Sequence, residues 1–376
     1  MSTRAYLDHA SSSPLRPAAF DAMLPYLRDH PADPGRLHAE GRVTRVALED
    51  AREHVAALLD ARPREVVFMS SGTESVNAAI SGAIARAGGR GHVVTTAVEH
   101  SAVRDAIARS GVECTTVPVD RVGRYDTSAV LAAIRHDTVL VSAQFANHEV
   151  GTMQPIADLC ARVRERDVII HVDACAAVGH VPISFAGLGA DLCSVTAHKW
   201  GGPKGAAALL VRRGLRLPPL LVGGAQERAR RGGIEDVPAW VGFGAAAATI
   251  DVASEAARQR VLITRAATVL DAITGIEHFG DPGSEGSLPH LLCLGVEGVE
   301  AEPILLALDQ HGVAVHSGSS CSSEVLEPSP VLEAMGVDAD HSLRVSVGWS
   351  TTEDDVDRFA AVLPGIVERM RRLRAS

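Results

Sequence analysis

The stretch Cys193-Ser-Val-Thr-Ala-His-Lys-Trp-Gly-Gly-Pro-Lys204 contains the only two lysines among the 36 lysines and arginines of this 376-residue chain. An apolar, strand-like run from Leu192 to Thr196 leads into His198 and Lys199. An amine can lose its proton and form a Schiff base with an aldehyde, whereas a guanidinium cannot. Because α/β proteins place their sites at strand ends, the position of Lys199 predicts a reactive amine.

The pattern on either side of this stretch predicts an α/β fold. Short apolar runs recur along the chain, and most are separated by helical stretches, a rhythm typical of a mostly parallel, mixed sheet flanked by helices. These runs are residues 66–68, 93–94, 115–117, 139–141, 168–172, 192–195 and 206–211. We expect a large domain over residues 13–255, linked by one long alanine-rich helix from Ala239 to Arg260, and a small α+β domain formed by residues 1–12 and 256–376.

Composition excludes several classes of function. The net charge of -10 and the isoelectric point near 5.9 argue against a nucleic-acid-binding surface. No apolar stretch reaches the length of a membrane span, and the N-terminus lacks the pattern of a secretory signal. We therefore expect a cytoplasmic protein that contacts neither membrane nor nucleic acid.

The six cysteines are scattered without CxxC pairs, and no metal site is predicted. Five of them are expected to be structural. Cys321 differs because it lies in the polar segment His316-Ser-Gly-Ser-Ser-Cys-Ser-Ser-Glu324, which has no apolar residue to bury it.

Three further polar features lie at the ends of predicted strands, as Lys199 does. Ser70-Ser-Gly-Thr-Glu74 joins a strand to a helix, where free backbone N–H groups can hold a phosphate, although such turns often serve only as caps. Asp173 ends an apolar strand, where a buried carboxylate needs a partner: it either pairs with a protonated ring nitrogen or caps the next helix. His100, also at a strand end, can stack on a planar ring or be structural. With Lys199, these groups are what pyridoxal 5'-phosphate requires.

Along essentially its whole length the sequence resembles the group I cysteine desulfurases, which are class V aminotransferase-like, fold type I pyridoxal-phosphate enzymes. The resemblance rests on Tyr6-Leu-Asp8, Ser71-Gly-Thr-Glu74, Val98-Glu-His100, Glu149-Val-Gly151, His171-Val-Asp173, His198-Lys199, Gly202-Pro-Lys-Gly205, Gly223-Gly224, Gln226-Glu-Arg228, Ser317-Gly-Ser-Ser-Cys321, Leu326-Glu-Pro328 and Leu343-Arg344.

This resemblance implies roles around the cofactor. Lys199 would form the Schiff base, Asp173 would pair with the pyridine nitrogen, and His100 would stack on the ring and take part in catalysis. The cofactor's phosphate would be bound by Gly72, Thr73, Thr196 and His198.

The resemblance also implies the reaction. Arg344 would hold the carboxylate of L-cysteine, for which a guanidinium fork is suited. Cys321 would attack the substrate sulfur, leaving alanine and an enzyme persulfide for a sulfur-acceptor protein. The enzyme would be a homodimer.

Three positions depart from the family pattern. His148 replaces an asparagine at the cofactor and the substrate, Ala176 replaces a glutamine that donates to the cofactor's phenolate oxygen, and Ile234 replaces a threonine that reaches a phosphate across the dimer. We hypothesise that His148 supplies the hydrogen bond that Ala176 cannot. The substrate consequently stays open: a carbon-sulfur or carbon-selenium lyase, such as a cysteine β-lyase or selenocysteine lyase, is one alternative. A catalytically degenerate binding partner is a remote one.

Overall fold

The computed structural model describes residues 4–281, 283, 285–318 and 328–375, and Cys321 lies outside the described residues. The helices are α1 (Pro17–Arg28), α2 (Ala39–Leu58), α3 (Gly72–Arg86), α4 (Ser101–Ser110), α5 (Thr127–Ala132), α6 (Ile156–Arg164), α7 (Phe185–Leu188), α8 (Gln226–Ala229), α9 (Val237–Thr249), α10 (Val252–Leu270), α11 (Ala301–Gln310), α12 (Pro330–Met335) and α13 (Glu353–Ala375). The strands are β1 (Ala5–Tyr6), β2 (Val66–Met69), β3 (His92–Thr96), β4 (Glu113–Val117), β5 (Thr138–Gln144), β6 (Ile169–Asp173), β7 (Leu192–Thr196), β8 (Ala207–Val211), β9 (Ile276–Phe279), β10 (Leu291–Val296), β11 (Val313–Ala314), β12 (His316–Ser317) and β13 (Ser342–Ser346).

A seven-stranded mixed sheet forms the centre of the fold, with the strand order β2-β8-β7-β6-β5-β3-β4. Only β8 runs antiparallel to its neighbours, and every other pair is parallel. All seven apolar runs identified in the sequence lie in this sheet. Their continuous apolar character follows from burial of both faces, since helices cover a parallel sheet on each side.

The parallel register sets the position of the site. Gln144 at the end of β5 pairs in register with Asp173 at the end of β6, and Asp173 pairs with Ser194 on β7. Parallel strands end at a common edge, so polar residues that end or follow these strands meet there. The loop after β7 brings Lys199 to the same edge.

Helices α1, α2 and α9 pack on one another at close range, and two glycines on α9 permit it. A Cβ on Gly244 would lie 2.4 Å from the Cα of Ala51 on α2. A Cβ on Gly242 would lie 2.6 Å from the Met23 side chain on α1. Both distances are shorter than any real carbon contact, so larger residues would push these helices apart.

A second core surrounds the four-stranded antiparallel sheet β12-β13-β10-β9 and the short parallel pair β1–β11. Leu7, Ile304, Val345 and Phe359 are buried in it. The large sheet has its own core, which includes Phe68, Val172 and Trp240. On this basis we propose residues 13–255 as the large domain and residues 1–12 with 256–376 as the small one.

The expectation of a single helix from Ala239 to Arg260 is wrong. The segment forms α9 and α10, because Ile250 is extended with ψ 129° and Asp251 caps α10 by accepting the Ser254 N–H at 3.1 Å. Aspartate favours N-caps, and this signal outweighed the alanine-rich composition. Within the described part of the chain no single helix is long and apolar enough to cross a membrane; α9 and α10 pass that test only as a pair bent by 80°.

Four buried histidines make the stability of the fold depend on pH. Burial lowers the pKa of His9, His171, His180 and His198 from 6.5 to about 4. As the pH falls below 6.5, the histidines of the unfolded chain bind protons while those of the folded chain stay neutral. The folded state is therefore most stable relative to the unfolded state above pH 6.5, and it loses this stability as the pH falls towards 4. We expect the free energy of unfolding of the protein, measured by urea denaturation, to fall by up to about 1.4 kcal/mol per pH unit for each histidine.

Glu99 opposes this trend and provides the control. Burial raises its pKa from 4.5 to about 8, so its contribution to stability falls as the pH rises through that range. The variant Glu99→Gln removes that opposing contribution and leaves the histidine effect alone. A free energy of unfolding that stays constant or increases from pH 6.5 to pH 5 in this variant would contradict the assignment.

Candidate active site

One cavity of about 280 Å³ lies at the carboxyl edge of the large sheet. Its lining combines the ends of β5, β6 and β7 with the N-terminus of α3 and with β13 of the small sheet. The structure brings together in this lining every site residue predicted from the sequence apart from Cys321, namely Gly72, Thr73, His100, His148, Asp173, Thr196, His198, Lys199 and Arg344.

The turn that carries Lys199 is held by its backbone and by Trp200. The buried indole donates from Nε1 to the Thr196 carbonyl at 2.7 Å, which closes the turn around Lys199. A Cβ on Gly179 would lie 2.4 Å from Trp200 Cγ, so only glycine leaves room for the ring. The Lys199 carbonyl accepts from Ser13 Oγ at 2.8 Å. Lys199 therefore lines the cavity from a rigid base.

The N-terminus of α3 offers an anion site. Ser71 caps the helix by accepting the Glu74 N–H at 3.0 Å, which leaves Gly72 and Thr73 in the first turn beside the cavity. A Cβ on Gly72 would lie 2.9 Å from Cys175 Sγ, so glycine keeps the helix end open. Free N–H groups and the helix dipole favour a phosphate at such a position.

Asp173 is ionised in spite of its burial. Burial alone raises its pKa, but the Cys175 N–H donates to Oδ1 at 3.0 Å, and His171 and His100 lie nearby. Together they hold the pKa of Asp173 below its usual value. A buried carboxylate of this kind suits a cationic partner such as a protonated ring nitrogen.

Two imidazoles, those of His100 and His148, line the cavity and contact each other edge to face. The rings of His100 and His148 are 5.0 Å apart at 63°. His148 Nε2 lies 3.4 Å from Glu149 Oε1, and Glu149 is buried. Burial raises the pKa of Glu149, but the hydrogen bond and charge of His148, with the Ser329 hydroxyl and Arg344, leave that pKa below its usual value. A negative group thus fixes the position of His148.

Arg344 on β13 is only 1% exposed and links the two domains. Its Nη2 donates to Asp8 Oδ1 at 3.0 Å and to Ser11 Oγ at 2.7 Å, and its Nη1 donates to the His148 carbonyl at 3.0 Å. Its Nε is buried and has no partner among the described residues. The Nε–H is therefore available to a ligand.

The lining also includes residues that sequence reasoning missed. Ser11 and Gln144 were not singled out, and Cys175 was expected to be structural, yet all three line the cavity. Of the other cysteines expected to be structural, Cys160, Cys193 and Cys293 are buried and Cys114 is exposed. Position at a strand end was the available signal, because Gln144 ends β5 and Cys175 follows β6 by two residues.

Ile234 does not line the cavity and is 69% exposed. The loop before it contains a left-handed turn in which Glu227, Arg228 and Ala229 have φ values of 48°, 59° and 61°. Such backbone is strained for side-chain-bearing residues, and the buried pair of Glu227 with Arg52, at 2.6 Å, stabilises it. Through this loop the Arg231 guanidinium reaches Glu74 at 2.9 Å, near the start of α3.

Comparisons with known proteins agree with this geometry. A model of the family described as aminotransferase class-V matches residues 5–359. The chain is 39% identical over 382 residues to the cysteine desulfurase IscS of Dictyoglomus turgidum, a match that covers 99% of this chain and 97% of the relative.

Solved structures share the fold. A NifS-like protein superposes with a TM-score of 0.90 at 30% identity, covering 98% of this chain and 100% of its own. A structure of SspA in complex with cysteine has a TM-score of 0.81 at 29% identity and covers 92% and 99%. The α/β, fold type I class predicted from the sequence is thereby confirmed. The chain belongs to the class-V aminotransferase family and, within it, to the cysteine desulfurases.

Proposed function

We propose that this protein is a pyridoxal-phosphate-dependent cysteine desulfurase that converts L-cysteine to L-alanine and passes the sulfur on as a persulfide. The observation that carries the proposal is one cavity lined by Lys199, Asp173, His100 and the N-terminus of α3. Its relatives are cysteine desulfurases, and a related structure holds cysteine.

The cavity residues fit pyridoxal 5'-phosphate. The gap beside Gly72, which a Cβ would close, suits the phosphate, with Thr73, Thr196 and His198 around it. Thr196 Oγ1 and His198 Nδ1 lie 2.8 Å apart and orient each other. Asp173 is suited to hold the ring nitrogen, and Lys199 the aldehyde carbon. When bound, the cofactor supplies an electron sink for the bond broken at the substrate's α carbon.

The protein's own groups would handle the protons. Asp173, kept ionised by the Cys175 N–H and two histidines, would hold a proton on the ring nitrogen. Lys199, once the substrate's amino group has taken its place, is the amine available to remove the proton from the α carbon. The ring of His100 would cover one face of the site and exclude water.

Arg344 would bind the substrate carboxylate. Its guanidinium is buried and rigidly held, and its unpaired Nε leaves a donor available. Asp8 and Ser11 share Nη2, so the guanidinium keeps its orientation while the cavity is empty. His148, whose carbonyl accepts from Arg344, would line the same substrate position.

The sulfur would pass to Cys321. Its thiolate would attack the substrate sulfur, so that a sulfur–sulfur bond forms as the carbon–sulfur bond breaks, and the carbon product takes up protons to become alanine. Cys175 lines the cavity, but burial raises its thiol pKa well above the usual value. A thiol that stays protonated is a poor nucleophile, which favours Cys321.

A homodimer in the cytoplasm, with a separate sulfur-acceptor protein, completes the proposal. Six of the exposed large apolar side chains lie in two segments, around α2 and in residues 221–234, which suits an interface between two copies. They are Leu37, Val43, Val46, Leu221, Val222 and Ile234. A reducing cytoplasm keeps a persulfide-forming thiol available.

Replacing Lys199 tests cofactor attachment. We expect Lys199→Ala to lose the visible absorbance of bound pyridoxal phosphate and at least 1000-fold of the turnover, roughly the effect of removing a covalent catalytic group. Absorbance spectra and alanine release from L-cysteine give the measurement. The matched control is Lys204→Ala, since Lys204 is exposed and outside the cavity lining; equal losses in both variants would refute the assignment.

Replacing Cys321 tests the reaction type. We expect Cys321→Ala to keep the cofactor spectrum but to stop the release of alanine and sulfide from L-cysteine under reducing conditions. Cys114→Ala, at an exposed thiol, should behave as the wild type. Pyruvate as the product, or activity unchanged by Cys321→Ala, would instead identify a lyase. A wild-type protein that binds no pyridoxal phosphate would point to a degenerate binding partner.

A further inference from the structure

Gln144 occupies a position in the cavity wall that the proposed mechanism does not use. Its side chain is 3% exposed, and it ends β5 in register with Asp173 at the end of β6. Residues paired in register on neighbouring parallel strands direct their side chains to the same face of a sheet. The amide of Gln144 therefore lies beside the carboxylate of Asp173, and both line the cavity.

The side-chain amide of Gln144 lacks an acceptor within the protein. Its backbone N–H donates to Glu99 Oε1 at 3.0 Å, but Nε2 is buried and has no hydrogen-bond partner among the described residues. Seven buried side-chain atoms of the described chain share this condition, and only Gln144 Nε2 and Arg344 Nε belong to residues that line the cavity. Since buried donors in folded proteins normally have acceptors, both atoms mark places where a bound ligand presents one.

The neighbouring residues leave this part of the cavity without another amide. Ala176 also lines the cavity, and it presents only a methyl group. His148 has Nε2 at 3.4 Å from Glu149 Oε1, so this nitrogen already has a charged partner. Gln144 is thus the cavity-lining residue with a side-chain amide among those that the structure describes.

We propose that Gln144 donates a hydrogen bond from Nε2 to the ring oxygen of bound pyridoxal phosphate, an inference that rests on the proposed function. The cofactor's ring carries a single oxygen attached directly to it, next but one to the nitrogen that Asp173 would hold. An amide beside Asp173 is placed for that acceptor. This assignment gives to Gln144 the hydrogen bond that the sequence alone had suggested for His148.

The hydrogen bond has a consequence that can be measured. The ring oxygen is negatively charged, and its charge helps to hold a proton on the nitrogen that links the cofactor to Lys199. A donor at the oxygen withdraws part of that charge, so the linking nitrogen releases its proton at lower pH. Gln144 would thereby tune the protonation state of the resting enzyme.

The test replaces Gln144 with methionine, which has a similar volume and no N–H. In the Gln144→Met holoenzyme we expect the linking nitrogen to hold its proton about tenfold more tightly, seen as a shift of the absorbance titration to higher pH. We expect the apoenzyme to bind pyridoxal phosphate about tenfold more weakly. An unchanged titration together with unchanged affinity would overturn the proposal.

A cofactor analogue separates this role from a purely structural one. Against 3-deoxypyridoxal phosphate, which lacks the ring oxygen, wild type and Gln144→Met should bind with the same affinity. A tenfold loss that persists with the analogue would show that Gln144 acts through the fold and would overturn the proposal. The double variant Gln144→Met with Ala176→Gln, which places an amide in the turn after β6, should recover the wild-type titration.

A second variant covers the case in which Gln144→Met does not fold, and cofactor binding by the wild type separates this proposal from the proposed function. If Gln144→Met does not fold, Gln144→Leu also removes the N–H at a similar volume and adds no titratable group, and its titration should shift in the same direction; an unshifted titration would count against the proposal. A wild-type protein that binds no pyridoxal phosphate would refute the proposed function itself. Normal cofactor binding with no effect of Gln144 would refute only the hydrogen bond.

Discussion

The in-register pairing of β5, β6 and β7 is the constraint on which the site depends. It places Gln144 beside Asp173 and Asp173 beside Ser194, so that polar groups converge at one edge of an otherwise apolar sheet. The turn after β7, closed by the hydrogen bond from Trp200 to Thr196, then brings Lys199 to the same edge. A slip of one residue in any of these pairs would turn Asp173 or Gln144 to the opposite face of the sheet.

Burial assigns different protonation states to neighbouring groups at this edge. Asp173 is ionised because a backbone N–H and two histidines outweigh the effect of burial, whereas burial raises the pKa of Glu99 to about 8 and keeps it mostly neutral at pH 7. Asp173 therefore faces the cavity as a carboxylate while Glu99 is mostly neutral, which suits a cationic ring nitrogen.

Much of the fold could be predicted from the sequence, because parallel strands buried on both faces produce apolar runs that local patterns reveal. The site residues at strand ends, such as Asp173 and Lys199, were accessible for the same reason. The break between α9 and α10 was missed because alanine-rich composition hid the capping signal of Asp251. Gln144 could not be singled out, since its importance lies in a donor without a partner, and only three-dimensional packing shows that.

We propose above all that Lys199 carries pyridoxal phosphate in this cavity, and the scarcity of lysine in the chain allows a direct test. Reduction of the holoenzyme with borohydride fixes the cofactor to its lysine, and peptide mapping by mass spectrometry then locates the added pyridoxyl phosphate. The chain contains two lysines, so the result is a choice between Lys199 and Lys204. We predict the modification on Lys199 alone; a modification on Lys204, or none on either lysine of a protein saturated with pyridoxal phosphate, would contradict the account.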